Sequence, residues 1–197
     1  MLVSLSLPDG APCKVHVQEW GAADSERVLF CAHGLTRNGM DFEPLAEVAT
    51  KAGFRVIAPD MPGRGKSPAL PSPALYNNAV YAALCVQLLQ QLSIPRVQWV
   101  GTSMGGIIAL VVANSAPGLI ERLVLNDVGC VISAASLARI GEYVPNNPWR
   151  VDKSEVEREL RARTASFGVA ESYWPRFAEN SIEQSGLGFR LAYDPAI

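Results

Sequence analysis

Histidine is the scarcest catalytic residue in this sequence: His16 and His33 are the only two in 197 residues. Charge is also sparse, at 18%, and almost balanced, with 17 Lys and Arg against 19 Asp and Glu for a net charge of -2. No basic block is present, so nucleic acid is not expected as a partner. Long apolar runs are missing as well. The longest, Ile107 to Ala113, is far too short to span a membrane. The opening MLVSLSLPDG has neither a positive n-region nor a long apolar stretch, so no secretory signal is read. The four cysteines, Cys13, Cys31, Cys85 and Cys130, form no C-x-x-C pair. That spacing suits neither a metal site nor a secreted disulfide framework. It reads as free, mostly buried thiols in a cytoplasmic protein, with no metal and no cofactor expected. What the chain does have is apolar bulk: 49% hydrophobic residues, enough for a substantial core and far outside the disordered class.

The order of segments predicts an α/β fold. Leu2, Leu5, Leu7, Val15 and Val17 flank Pro8-Asp9-Gly10-Ala11-Pro12, which reads as an antiparallel hairpin. Val28 to Ala32 is a continuous apolar run, as strands covered on both faces require. A helix is expected over 41–51, a strand over 54–58 and a helix over 75–92. A strand over 96–100, a helix over 104–116 and a strand over 121–126 follow. This alternation predicts a mostly parallel sheet with right-handed crossovers. After Gly129 the pattern changes to short amphipathic and charged helical stretches with no strand signal, giving a division into 1–129 and 130–197.

Two peptides point to chemistry. Gly101-Thr102-Ser103-Met104-Gly105-Gly106 stands between a strand and a helix. There, G-x-S-x-G forms a sharp turn that lifts the serine Oγ above the sheet. Small neighbours are needed because strand and helix crowd together, and the helix start offers unpaired N–H groups to a developing anion. The same letters elsewhere would describe only a glycine-rich turn. The second peptide, Ala32-His33-Gly34-Leu35, ends an earlier strand where a further N–H donor would be needed. Gly65-Lys66-Ser67 mimics the end of a phosphate-binding loop, but Asp60 occupies the position of its first glycine.

With these motifs in place, the chain resembles the α/β-hydrolases over roughly residues 1–129. His33-Gly34-Leu35 matches the family's H-G-x motif, Asp60 to Ser67 its D-x-x-G-x-G-x-S loop, and Gly101 to Gly105 its nucleophile elbow. The resemblance implies a mostly parallel hydrolase sheet with flanking helices and a partial helical cap from 130 to 197. It implies Ser103 as nucleophile, with the backbone N–H groups of Leu35 and Met104 as the oxyanion hole. His33 is expected to brace that loop, His16 to be structural, and Asp60 and Arg64 to hold a tight loop. Asp127, just past the sixth strand, is a candidate triad acid; the alternative is a strand-end aspartate lining the entrance to the cap. The activity implied is hydrolysis of a carboxylic ester or related small-molecule acyl substrate. A non-catalytic binding or interaction protein retaining the fold is the rival.

One catalytic part is missing. The family's order is Ser, then acid, then His, and no histidine follows Ser103. Two strand–helix units of about 30 residues each are also lacking. The expectation is therefore a chain truncated before its last strands, which a C-terminal fragment or self-association would complete.

Overall fold

The computed structural model describes residues 1–197. Strand β1 (Leu2–Ser6) pairs antiparallel with β2 (Pro12–Trp20), Leu2 opposite His16 and Ser6 opposite Pro12. The intervening turn is closed by the Asp9 carboxylate, which accepts from the Ala11 N–H at 2.9 Å. Next come β3 (Val28–Ala32), α1 (Glu43–Lys51), β4 (Arg55–Pro59) and α2 (Asn78–Gln91). They are followed by β5 (Val97–Thr102), α3 (Met104–Ser115) and β6 (Ile120–Asn126). The helix expected from residue 75 begins at Asn78, because the Asn77 side chain caps the Val80 N–H and the preceding turn, 73–75, is a separate 3-10 turn.

The sheet runs β1-β2-β4-β3-β5-β6, with β4, β3, β5 and β6 mutually parallel and β2 antiparallel to β4. Every residue of β3 is buried, which is what its unbroken apolar run requires in a strand covered on both faces. Alternate side chains divide between the two faces. Phe30 and Ala32 join Leu84, Leu88, Ile108 and Val112 beneath α2 and α3; Leu29 and Cys31 pack with Ala46 and Ala49 of α1. Strand β6 forms one edge of the sheet, and its Val124 is 56% exposed.

Residues 130–197 build a third apolar cluster. It comes from α4 (Ala134–Tyr143), α5 (Lys153–Arg163), α6 (Trp174–Ser181) and a β-hairpin, β7 (Ile182–Ser185) with β8 (Gly188–Leu191). Val156, Leu160, Phe177, Leu191 and Tyr193 are its buried members, and Leu35 packs against both this cluster and the main core. The hairpin corrects the expectation of a purely helical segment. Its strands have four residues each, too few to show an alternating pattern. Tertiary contacts hold it instead. Phe189 and Arg150 exchange backbone hydrogen bonds at 2.8 Å. The buried Asn147 amide donates to Leu191 O and Tyr193 O at 2.9 and 2.8 Å. No helix in the structure is long and apolar enough to cross a membrane.

Candidate active site

Ser103 lies between β5 and α3 with φ +49° and ψ −114°, a conformation that non-glycine residues rarely adopt. The surrounding backbone holds it there. Its N–H donates to Asn126 O at 2.9 Å, and its carbonyl accepts from the Gly106 and Ile107 N–H groups at 2.9 and 3.2 Å. The crossing is so close that a Cβ on Gly105 would stand 1.9 Å from Ala32 O, and one on Gly101 would stand 2.5 Å from the Gly105 carbonyl. Glycine is the only residue without that atom. The Ser103 side chain is half-buried and does not cap its own helix, so Oγ is left free.

The loop after β3 lies against this serine: a Cβ on Gly34 would be 3.9 Å from the Ser103 Cβ. His33, 1% exposed, orders that loop. Its Nε2 accepts from the Met61 N–H at 2.9 Å, which assigns the ring proton to Nδ1, and Nδ1–H donates to Gly34 O at 2.7 Å. Burial pushes the His33 pKa down to about 3, so the ring is neutral. In a trans peptide the C=O and N–H point in opposite directions. Tethering Gly34 O to His33 therefore directs the Leu35 N–H to the other side. The Leu35 and Met104 N–H groups donate to no acceptor within the chain.

Asp60, 1% exposed, accepts from the Gly39 N–H at 2.7 Å and the Lys66 N–H at 3.0 Å, and lies 3.1 Å from His16 Nδ1. His16 is on β2, separated from β5 by β4 and β3. Both histidines are thus committed elsewhere, and neither is a proton acceptor for Ser103. Asp127 follows the strand end whose Asn126 holds the Ser103 N–H; it has φ +55° and an exposed carboxylate with no hydrogen-bond partner. Cys13, Cys31 and Cys85 are buried free thiols, Cys130 an exposed one. Nowhere do three His, Cys, Asp or Glu side chains converge as metal ligands.

Sequence reasoning missed two groups. Tyr76 Oη donates to the Asp194 carboxylate at 2.5 Å across 118 residues of chain, and Tyr81 Oη accepts from Arg64 at 2.7 Å. Neither belongs to a recognisable motif, and nothing local signals them. A polar cleft of about 610 Å³ opens between Gln18–Trp20 and Arg176–Glu183, but Ser103, Leu35 and Met104 do not line it.

Comparison with known proteins agrees with this architecture. The family model for the alpha/beta hydrolase fold matches residues 27–154. The 3-hydroxybutyrate-oligomer hydrolase of Cupriavidus necator is 41% identical over 185 residues, a match covering 91% of this chain and 62% of that protein. The chain therefore spans about three fifths of that relative's length. The crystal structure of a Rickettsia typhi protein superposes with a TM-score of 0.92 at 31% identity, covering all of this chain and 72% of the other. An alpha/beta hydrolase from Novosphingobium aromaticivorans superposes with a TM-score of 0.83 at 29% identity, covering 69% of its own chain. With the family model matching residues 27–154, well over half of its length, this chain belongs to the alpha/beta hydrolase fold family.

Proposed function

We propose that the protein is a serine hydrolase that cleaves carboxylic esters, with Ser103 as nucleophile and the Leu35 and Met104 N–H groups as oxyanion hole. The observation that carries this is the strained Ser103 backbone, with φ +49°, set beside two amides that have no acceptor of their own. Ser103 Oγ attacks the acyl carbon, and the carbonyl oxygen gathers negative charge between the two N–H groups. Each such donor is typically worth about 3 kcal/mol in the transition state. The alkoxide leaves with a proton, and water then hydrolyses the acyl-serine. The proton from Oγ needs an acceptor that residues 1–197 do not supply, since both histidines are engaged. Asp127 is the acid candidate of residues 1–197, at a strand end adjoining Ser103.

Residues 1–129 form the catalytic core in this reading, and residues 130–197 a cap over the acyl site. A segment or partner beyond the exposed β6 edge completes the triad. The buried free thiols favour a reducing, cytoplasmic setting. The Cupriavidus necator relative is a 3-hydroxybutyrate-oligomer hydrolase, so 3-hydroxybutyrate oligomers, which are esters of a hydroxy acid, are the first substrates to test. A second reading, a non-catalytic small-molecule binding protein, is favoured by one observation: no histidine of residues 1–197 is free to serve Ser103.

The test uses the product of the complete reading frame and a fluorophosphonate probe. Labelling at Ser103, ester turnover, and loss of both in Ser103→Ala are the expected results. No labelling would overturn the hydrolase reading in favour of the binding protein. Rapid ester turnover by residues 1–197 alone would contradict an external base.

A further inference from the structure

Arg64 is 1% exposed, yet no carboxylate lies within ion-pair distance of its guanidinium. A buried cation held without an anion is rare unless its neighbours are arranged around it. Here they are. Nε donates to Leu35 O at 2.9 Å, and Nη1 donates to Pro62 O and to Tyr81 Oη, each at 2.7 Å. Nη2 meets the Met104 thioether at 3.8 Å. The Tyr81 and Tyr76 rings stand with their centroids 5.0 and 5.4 Å from the guanidinium carbon, within the range of cation–π attraction.

Two of these contacts reach Leu35 and Met104, the residues proposed to supply the oxyanion amides. Leu35 lies between two peptide planes, and the carbonyls of both are tethered. Gly34 O is held by His33, and Leu35 O by Arg64. With both planes fixed, the direction of the Leu35 N–H is fixed as well. Met104, which carries the second amide, has its side chain against the same guanidinium. The backbone of Arg64 is fixed in turn from the far end of the chain. Gly65 N–H donates to Ala192 O at 2.9 Å, and Asp194 N–H donates to Gly63 O at 2.7 Å. The Asp194 carboxylate is bound by Tyr76, whose ring faces Arg64.

We propose that Arg64 is a positioning residue for acyl transfer: from behind the loop its guanidinium aims the Leu35 and Met104 amides at the oxyanion, and the 192–194 strap keeps Arg64 in register. The proposal rests on Ser103 being the nucleophile. Arg64 touches no substrate; it acts through the two residues it grips. A lysine would retain the charge but lose the planar fork that reaches three oxygen acceptors at once.

The experiment measures fluorophosphonate labelling of the complete reading-frame product as wild type, Arg64→Met, Arg64→Lys and Tyr81→Phe. For each, kinact, KI and the labelled fraction are determined separately, with the folded fraction from circular dichroism. Arg64→Met is expected to lower kinact by about 30-fold or more, with KI within about threefold of wild type. Arg64→Lys should fall between them. Tyr81→Phe removes one acceptor of the guanidinium without touching Leu35 or Met104, and should lower kinact several-fold in a folded protein; it decides the matter if Arg64→Met does not fold. A variant whose labelled fraction drops while kinact is unchanged in the remainder would overturn the proposal, since that is the behaviour of a merely structural residue. A labelled wild type with kinact intact in Arg64→Met or Tyr81→Phe overturns it alone. An unlabelled wild type overturns the hydrolase reading and this proposal with it.

Discussion

Replacing Gly105 with alanine adds one methyl group where the first turn of α3 crosses β3. The new Cβ would stand 1.9 Å from Ala32 O, 2.4 Å from Ala32 C and 2.9 Å from Ala32 Cβ. Ordinary contact begins near 3.4 Å, so helix and strand must part by about 1.5 Å, on the scale at which core overpacking is costly. Neither side yields easily, because every residue of β3 is buried and the obstacle is backbone rather than a flexible side chain. Overpacking of side chains costs about 1–3 kcal/mol, and a backbone collision belongs at or above the top of that range. Alanine returns about 1 kcal/mol of helix propensity, leaving a net loss of about 2–3 kcal/mol. Gly141 supplies the contrast. It is exposed in the last turn of α4, with nothing within 4 Å of an added Cβ, so the same substitution there should stabilise by about 0.5 kcal/mol. Urea denaturation of both variants, with m-values compared to confirm a like-for-like transition, measures the two effects. A Gly105→Ala variant within about 0.5 kcal/mol of wild type would refute the argument that close backbone approach dictates glycine there.

Acid sensitivity and strain give two further predictions. Burial holds the folded His33 pKa at about 3, below the ordinary histidine value of 6.5. The unfolded chain therefore binds that proton first, and stability falls as pH drops from 6.5 toward 3, by about 2 kcal/mol at pH 5. Asp60, whose carboxyl is raised mainly by burial, has the opposite sign and offsets part of this loss. A His33→Gln variant isolates the histidine contribution: its stability–pH curve should be flatter than wild type between pH 6.5 and 4, and parallel curves would contradict a buried neutral ring. At the elbow, Ser103→Gly should raise stability by about 1 kcal/mol by relieving the positive φ, whereas Ser103→Ala, which keeps the Cβ, should not. Equal melting temperatures for the two variants would show that the backbone there is unstrained.

The parts of the fold that were legible are those in which a few adjacent residues carry their own signal. The unbroken apolar run 28–32 announced a strand covered on both faces. Pro8-Asp9-Gly10 announced a hairpin, and the strand–glycine–serine–glycine–helix sequence announced the elbow and its position. The structural readings of His33, Asp60 and Arg64 followed from motif context. The hairpin at 182–191 was illegible because its strands are too short for a pattern and are held by Asn147 and Arg150, about 40 residues away.

Residues alone therefore determined the order of strands and helices as far as β6, the place of the tight turn, and the fact that only two imidazoles exist to serve it. The backbone and local side-chain chemistry act over a few residues, so such features are written locally. Which groups those imidazoles engage was decided by tertiary structure. It buried His33 between Met61 and Gly34, set His16 against Asp60, and placed Arg64 with the 192–194 strap behind Leu35 and Met104. Those partners are separated by up to about 130 residues in sequence and meet only because apolar burial folds the sheet, an effect with no direction of its own until the whole chain packs.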